Sequence, residues 1–143
     1  MKRFLNTIYD LGVTPELSPD DKRRAQLINQ IILYCGLAPI AIIPLVLVIA
    51  DLANFVFISC SGVLLLSALF LSKSKNHRLA LFYFLAIVAI SLGIGSLLFQ
   101  DSSTDIYFIP AATIPFLVLK KKREAIAIFI LLILVFVGLN IAY

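Results

Sequence analysis

The side chains able to do chemistry in this 143-residue chain are few and far apart. There is one histidine, His77, and there are two cysteines, Cys35 and Cys60, both set in apolar runs. A metal centre needs a clustered set of nitrogen, sulfur or carboxylate ligands, and one histidine distant from two isolated thiols is not such a set. Nucleophilic catalysis needs a nucleophile, a base and an orienting group within reach of one another. No apolar stretch holds a His/Asp/Glu pair, and the last one holds no lysine that could form a retinal Schiff base. His77 reads as an interfacial residue in a basic turn, and the cysteines read as small buried hydrophobes. The chain is expected to take no metal and no cofactor and to be no enzyme itself.

The acids are as informative by their position. Pumps and charge-coupled transporters place ionisable groups near the middle of a membrane span. Here Asp51, Asp101 and Asp105 fall at or beyond the ends of apolar runs, which disfavours that chemistry. Prolines at 39, 44, 110 and 115 remove helix hydrogen bonds and invite kinks. Near those prolines stand Asn54, Gln100, Asp101, Asp105 and Tyr107, with Tyr34 as an outlying member. They are either a pocket for a small, unidentified ligand on the outer side or a rim of solvated polar groups.

The elements that must position these groups are apolar helices. Hydrophobic residues make up 62% of the chain and charged ones 14%, against about 45–50% and about 25% in soluble domains. With so apolar a chain, the net charge of +4 points to a membrane surface rather than to nucleic acid. Ala25–Ala50, Leu52–Ser72, Leu79–Gln100 and Ala125–Tyr143 contain no charge. Each has about the 20 residues needed to cross a bilayer. Ile106–Leu119 is shorter, and the distribution of base decides it. Lys and Arg occur only in Lys2 to Arg24, Lys73 to Arg78 and Lys120 to Arg123. If all five windows cross, all 12 bases lie on one side, as the positive-inside rule requires. The expectation is therefore an all-α, polytopic transmembrane bundle of about five spans. Its N-terminus would be in the cytoplasm. Residues 1–24 form an interfacial segment and residues 25–143 the bundle. Short connections make sequential helices antiparallel neighbours. Lys22, Arg23, Arg24, Lys120, Lys121, Lys122 and Arg123 are expected at inner-leaflet lipids.

The polar prelude contains two tandem helix-start signatures, Thr14-Pro15-Glu16 and Ser18-Pro19-Asp20-Asp21. In the second, Ser18 can cap free amides, Pro19 suits the first helical position, and the acids favour the positive end of the helix dipole. Phe4, Leu5, Ile8 and Leu11 share a face, so residues 2–11 are expected to form an interfacial amphipathic helix. The N-terminus lacks the continuous apolar core of a signal peptide and is expected to be retained. In the third window Ala89/Gly93 and Ser91/Gly95 are small-xxx-small pairs, suited to packing within the chain or between subunits.

The segment Leu11-Gly12-Val13, the capped start Ser18 to Asp21, the bases Lys22 to Arg24 and Asn29 together resemble the entry to the membrane in a class of bacterial signalling proteins. "FIPAATIPFLVLKKKREAI" (Phe108 to Ile126) is also similar to that class. The class carries an N-terminal multi-helix membrane domain ahead of a sensor histidine kinase or nucleotide cyclase domain. The resemblance implies a non-catalytic sensor or anchor domain in the bacterial inner membrane, acting as a dimer, that couples an unknown stimulus to a cytoplasmic output. Five spans would leave Tyr143 outside, so the helix returning to the cytoplasm is one this sequence does not contain. Two other functions fit the composition: an accessory subunit of a larger membrane complex, and a small transporter or channel.

Overall fold

The computed structural model describes residues 2–49, 52–98 and 108–141. Among the described residues there are six helices and no strand. They are α1 (Lys2–Tyr9), α2 (Pro19–Ile49), α3 (Leu52–Lys73), α4 (His77–Leu98), α5 (Phe108–Val118) and α6 (Lys122–Ile141). Three of them include a stretch long and apolar enough to cross a membrane: Pro19–Pro44, Asn54–Lys73 and His77–Gly95. That fits an integral membrane protein. Many of their large side chains face outward, including Val56, Val63, Leu64 and Phe70, as lipid-facing residues do. The chain divides into two compact units, Met1–Phe84 and Leu85–Tyr143.

The first unit is organised by the start of α2. Ser18 is its cap: the Ser18 Oγ accepts from the Asp21 amide at 3.2 Å and donates to the Asp21 carboxylate at 2.7 Å. The Lys22 amide reaches the Ser18 carbonyl at 2.9 Å, the first turn of the helix. The earlier signature behaves differently. Thr14 to Leu17 makes one turn, closed by the Leu17 amide on the Thr14 carbonyl, and starts no helix. The acids that follow Ser18 favour continuation, whereas after Glu16 the chain meets Leu17 and a second cap. Replacing Ser18 by alanine is expected to cost about 1 kcal/mol of local stability. Faster amide exchange at Asp20 and Asp21 would report it, and unchanged exchange would mean the cap is not what starts the helix.

From its start α2 runs on through Pro39 and Pro44 to Ile49. It packs antiparallel against α3, and glycines set the approach. A Cβ on Gly36 would come within 2.7 Å of the Leu66 side chain, and one on Gly62 within 3.0 Å of Ile40 and 3.2 Å of the Gly36 carbonyl oxygen. Backbones this close are the usual consequence of small residues at a membrane helix pair. Ile32, Leu33, Leu65, Ala68, Leu81 and Phe84 are buried in this unit. The α3–α4 connection is short. Lys75 takes φ 66°, its amide closes on the Ser72 carbonyl at 3.0 Å, and Asn76 Oδ1 caps α4 through the Leu79 amide at 3.1 Å.

In the second unit α5 and α6 form a hairpin. The Phe116 and Phe129 rings meet edge to face at 5.5 Å, and Ala111, Ala112, Val118, Ala125 and Leu132 are buried. The 11 residues of α5 extend about 16 Å, roughly half the hydrocarbon thickness. Its expected outer end at Ile106 and Tyr107 lies outside the described residues. At the turn, Lys121 and Glu124 pair at 3.7 Å, an exposed contact that adds little stability.

Candidate functional site: a buried polar cluster at the foot of the first unit

Helix α1 ends at Tyr9, two residues earlier than its apolar face extends, because the chain turns at Gly12. Gly12 has φ +69°, and a Cβ there would lie 2.0 Å from the Ser72 carbonyl oxygen. Only glycine combines that left-handed backbone with so close an approach. The turn leaves three backbone carbonyls without helical partners, those of Tyr9, Leu11 and Gly12, and all three accept hydrogen bonds from side chains.

Asn29, on α2, donates from Nδ2 to the Tyr9 carbonyl at 2.9 Å and to the Leu11 carbonyl at 3.0 Å. Its Oδ1 accepts from the Ser72 hydroxyl, at the end of α3, at 2.5 Å. The Ser72 oxygen also lies 3.0 Å from Nδ1 of His77, the first residue of α4. The other ring nitrogen, Nε2, reaches the Gly12 carbonyl at 3.2 Å. Asn29 and Ser72 are both 0% exposed. Buried polar groups persist only where they are hydrogen-bonded, and here each is held on two or more sides. Four elements, the turn, α2, α3 and α4, therefore share one polar cluster.

Outlying contacts extend it. Gln26 donates to the Asp10 carboxylate at 2.7 Å. The Tyr9 and Tyr34 hydroxyls meet at 2.6 Å with ring centres 6.4 Å apart. That hydrogen bond is the main cause holding the Tyr9 phenol above its ordinary pKa, with lost hydration and the Tyr34 charge behind it. Asn29 lies five positions after Arg24, about 7.5 Å along α2. α1 thus joins α2 about 7.5 Å beyond the basic residues, with Phe4 69% exposed.

Ser72 beside His77 has the spacing of a nucleophile and its base. The arrangement is not set for that chemistry, because Ser72 is wholly buried and its proton is directed to Asn29. The cluster is suited to fastening one element to three others.

The residues singled out from sequence are placed as follows. Of the outer pocket set, Asn54 is half-buried near the start of α3, and Gln100, Asp101, Asp105 and Tyr107 lie outside the described residues. Lys22, Arg23 and Lys120 to Arg123 are exposed, and Arg24 is half-buried. Gly93 and Gly95 are buried, while Ala89 and Ser91 are half-buried. The close approaches at Gly36 and Gly62 were not anticipated. The grouping of Gly12, Asn29, Ser72 and His77 was not anticipated either, yet a signal for part of it existed. A hairpin folded near residue 50 pairs positions equidistant from that point, and Asn29 and Ser72 are two of the few polar residues at matching depths. Comparison with protein families, with characterised proteins and with solved structures finds no match.

Proposed function

We propose that the chain is the membrane sensor or anchor domain of a bacterial signal-transduction protein, non-catalytic in itself. In this reading it crosses the inner membrane five times, with its N-terminus in the cytoplasm, and acts as a dimer. A stimulus on the bundle is relayed to a kinase or cyclase output domain outside residues 1–143. The observation that supports it is the polar cluster. A short amphipathic helix and its turn are fastened by a few hydrogen bonds to α2 and α4, which Ser72 of α3 bridges, and sensing requires an element that can be held or released.

Two measurements on the full chain in lipid bilayers test this. Cysteine-accessibility labelling should find positions 75 and 122 inside and position 103 outside, and the reverse pattern would refute the topology. Spin labels at positions 7 and 70, with Cys35 and Cys60 replaced by alanine, should give two distance populations that exchange weight with conditions. A single distance under every condition of pH, lipid and osmotic pressure would reduce the domain to a passive anchor or an accessory subunit.

A further inference from the structure

The hydrogen bonds of Asn29 to Ser72 and of Ser72 to His77 set α2, α3 and α4 level with one another at those three positions. The basic residues do not share a level in this register. Lys73 and Arg78 each stand one position from the cluster, whereas Arg24 stands five positions before it, about 7.5 Å farther out along α2. A bilayer surface square to the helices cannot pass through all three charges.

Hydroxyl groups do share a level. Tyr34, Ser67 and Tyr83 stand five or six positions deeper along their helices, about 7.5 to 9 Å from the cluster. The Tyr9 hydroxyl, brought by α1, meets that of Tyr34 at 2.6 Å, and the Ser67 and Tyr83 oxygens lie 3.0 Å apart. Tyr34 is 57% and Tyr83 36% exposed, so both rings lie on the outer surface. Deeper still, every exposed side chain described on α2 and α3, from Leu37 to Pro44 and from Leu52 to Leu64, is apolar or the thiol of Cys60. On the other side of the level α2 carries Gln26 and Gln30 before its charges begin.

The protons at that level do not all find acceptors. Ser67 donates to the Leu64 carbonyl at 2.6 Å, so its oxygen accepts the Tyr83 proton and both protons are used. Tyr9 and Tyr34 hold two protons and share one bond, and neither hydroxyl has another partner among the described residues. One phenolic proton is left over, and hydrocarbon offers no acceptor for it.

We infer that the lipid–water boundary on the Lys73 and Arg78 side of the first unit runs through these two hydroxyl pairs, and that the spare phenolic proton goes to an ester or phosphate oxygen of a phospholipid headgroup. An amphipathic ring with a hydroxyl at its tip suits that boundary. The inference goes beyond a signalling role and rests only on the first unit crossing the bilayer. A headgroup layer is about 5–7 Å deep, so the Gly12, Asn29, Ser72 and His77 cluster stands at its water-side edge. The Arg24 backbone, about 15 Å from the boundary, stands in water and not among the lipids where the sequence suggested it. The apolar length of α3 falls from about 32 Å, Leu52 to Ser72, to about 24 Å, Leu52 to Ser67, close to the ~21 Å of Ile106–Leu119.

Phe70 and Leu79 distinguish this boundary from one drawn at Lys73 and Arg78, because both are exposed and lie between the two levels. The full chain carrying Cys35→Ala and Cys60→Ala is placed in phosphatidylcholine–phosphatidylglycerol bilayers with a single nitroxide at position 70, 79 or 63. A water-soluble nickel complex should relax the labels at 70 and 79 more than oxygen does, and oxygen should dominate at 63. Oxygen dominating at all three positions would move the boundary to the charges and overturn the inference. Nickel dominating at all three would overturn it differently, by showing that the first unit does not cross the bilayer. The headgroup bond is read separately, from the dephasing of ζ-¹³C-tyrosine signals by lipid phosphorus. Tyr9→Phe/Tyr34→Phe should remove part of that dephasing while nickel still dominates at 70 and 79. Dephasing that is absent, or unchanged in the double variant, would overturn the assignment of the spare proton to a headgroup.

Discussion

Replacing Asn29 by leucine is expected to release residues 9–13 from the bundle while leaving α2 and α3 paired. The substitution keeps the volume and removes the amide. The Tyr9 and Leu11 carbonyls lose their donor, and the Ser72 hydroxyl loses its acceptor. Each buried polar group stripped of its partner costs about 1–3 kcal/mol. Interhelical hydrogen bonds in bilayers average nearer 0.6 kcal/mol, because freed groups find other partners. A lifted turn would likewise find water, so about 2–4 kcal/mol of attachment free energy is a reasonable total. Amide exchange at Leu11 to Val13 should then accelerate at least about thirtyfold. The Gly36 and Gly62 contacts between α2 and α3 involve none of these groups, so exchange around Leu65 and Ala68 should not move. Protection retained at Leu11 would show that the turn is held by something other than Asn29.

The second large effect is expected at Gly12. An alanine there meets two separate penalties. A left-handed backbone costs an L-residue about 1–2 kcal/mol. The added Cβ would also lie 2.0 Å from the Ser72 carbonyl oxygen, a backbone atom inside α3 that cannot swing aside. The turn must move outward by more than an ångström, which breaks the Nε2 contact of His77 with the Gly12 carbonyl. The expected phenotype is the same release of residues 9–13. Because both substitutions act on one cluster, their effects should not add. Gly12→Ala placed on Asn29→Leu should change Leu11 exchange by less than about a factor of two, whereas independent sites would multiply their effects.

The helices that the sequence makes legible are those bounded by charge. α3 and α4 match the uncharged runs almost to the residue, because Lys73, Lys75 and Arg78 mark where apolar chain meets water. The cap at Ser18 was equally visible, since its partners lie within four residues. The cluster was not. Asn29 and His77 bind backbone carbonyls, which every residue possesses and no pattern marks. Ser72 and Asn29 are 43 residues apart, and their meeting depends on how α2 and α3 pair. His77 in particular looked like one more polar residue of a basic turn, because its neighbours in sequence describe the surface and its neighbours in space do not. Gly12 shows the same limit from the other side. Its φ follows from a local turn, but the oxygen that excludes a side chain there belongs to residue 72.

The His77 contact with the Gly12 carbonyl joins residues 65 apart, and this sets an order of events during biosynthesis. A ribosome adds about 5–20 residues each second, so the Gly12 turn leaves the ribosome some 3 to 13 s before its partner on α4 has been made. Throughout that interval the turn has no α4 to close on. The Gly12 turn is therefore made before the elements that hold it, and it can be fastened only when the α2–α3 hairpin and the start of α4 are in place. Closure of the turn marks a completed first unit, and a nascent chain in which α3 or α4 failed to pack would leave the Gly12 turn unfastened.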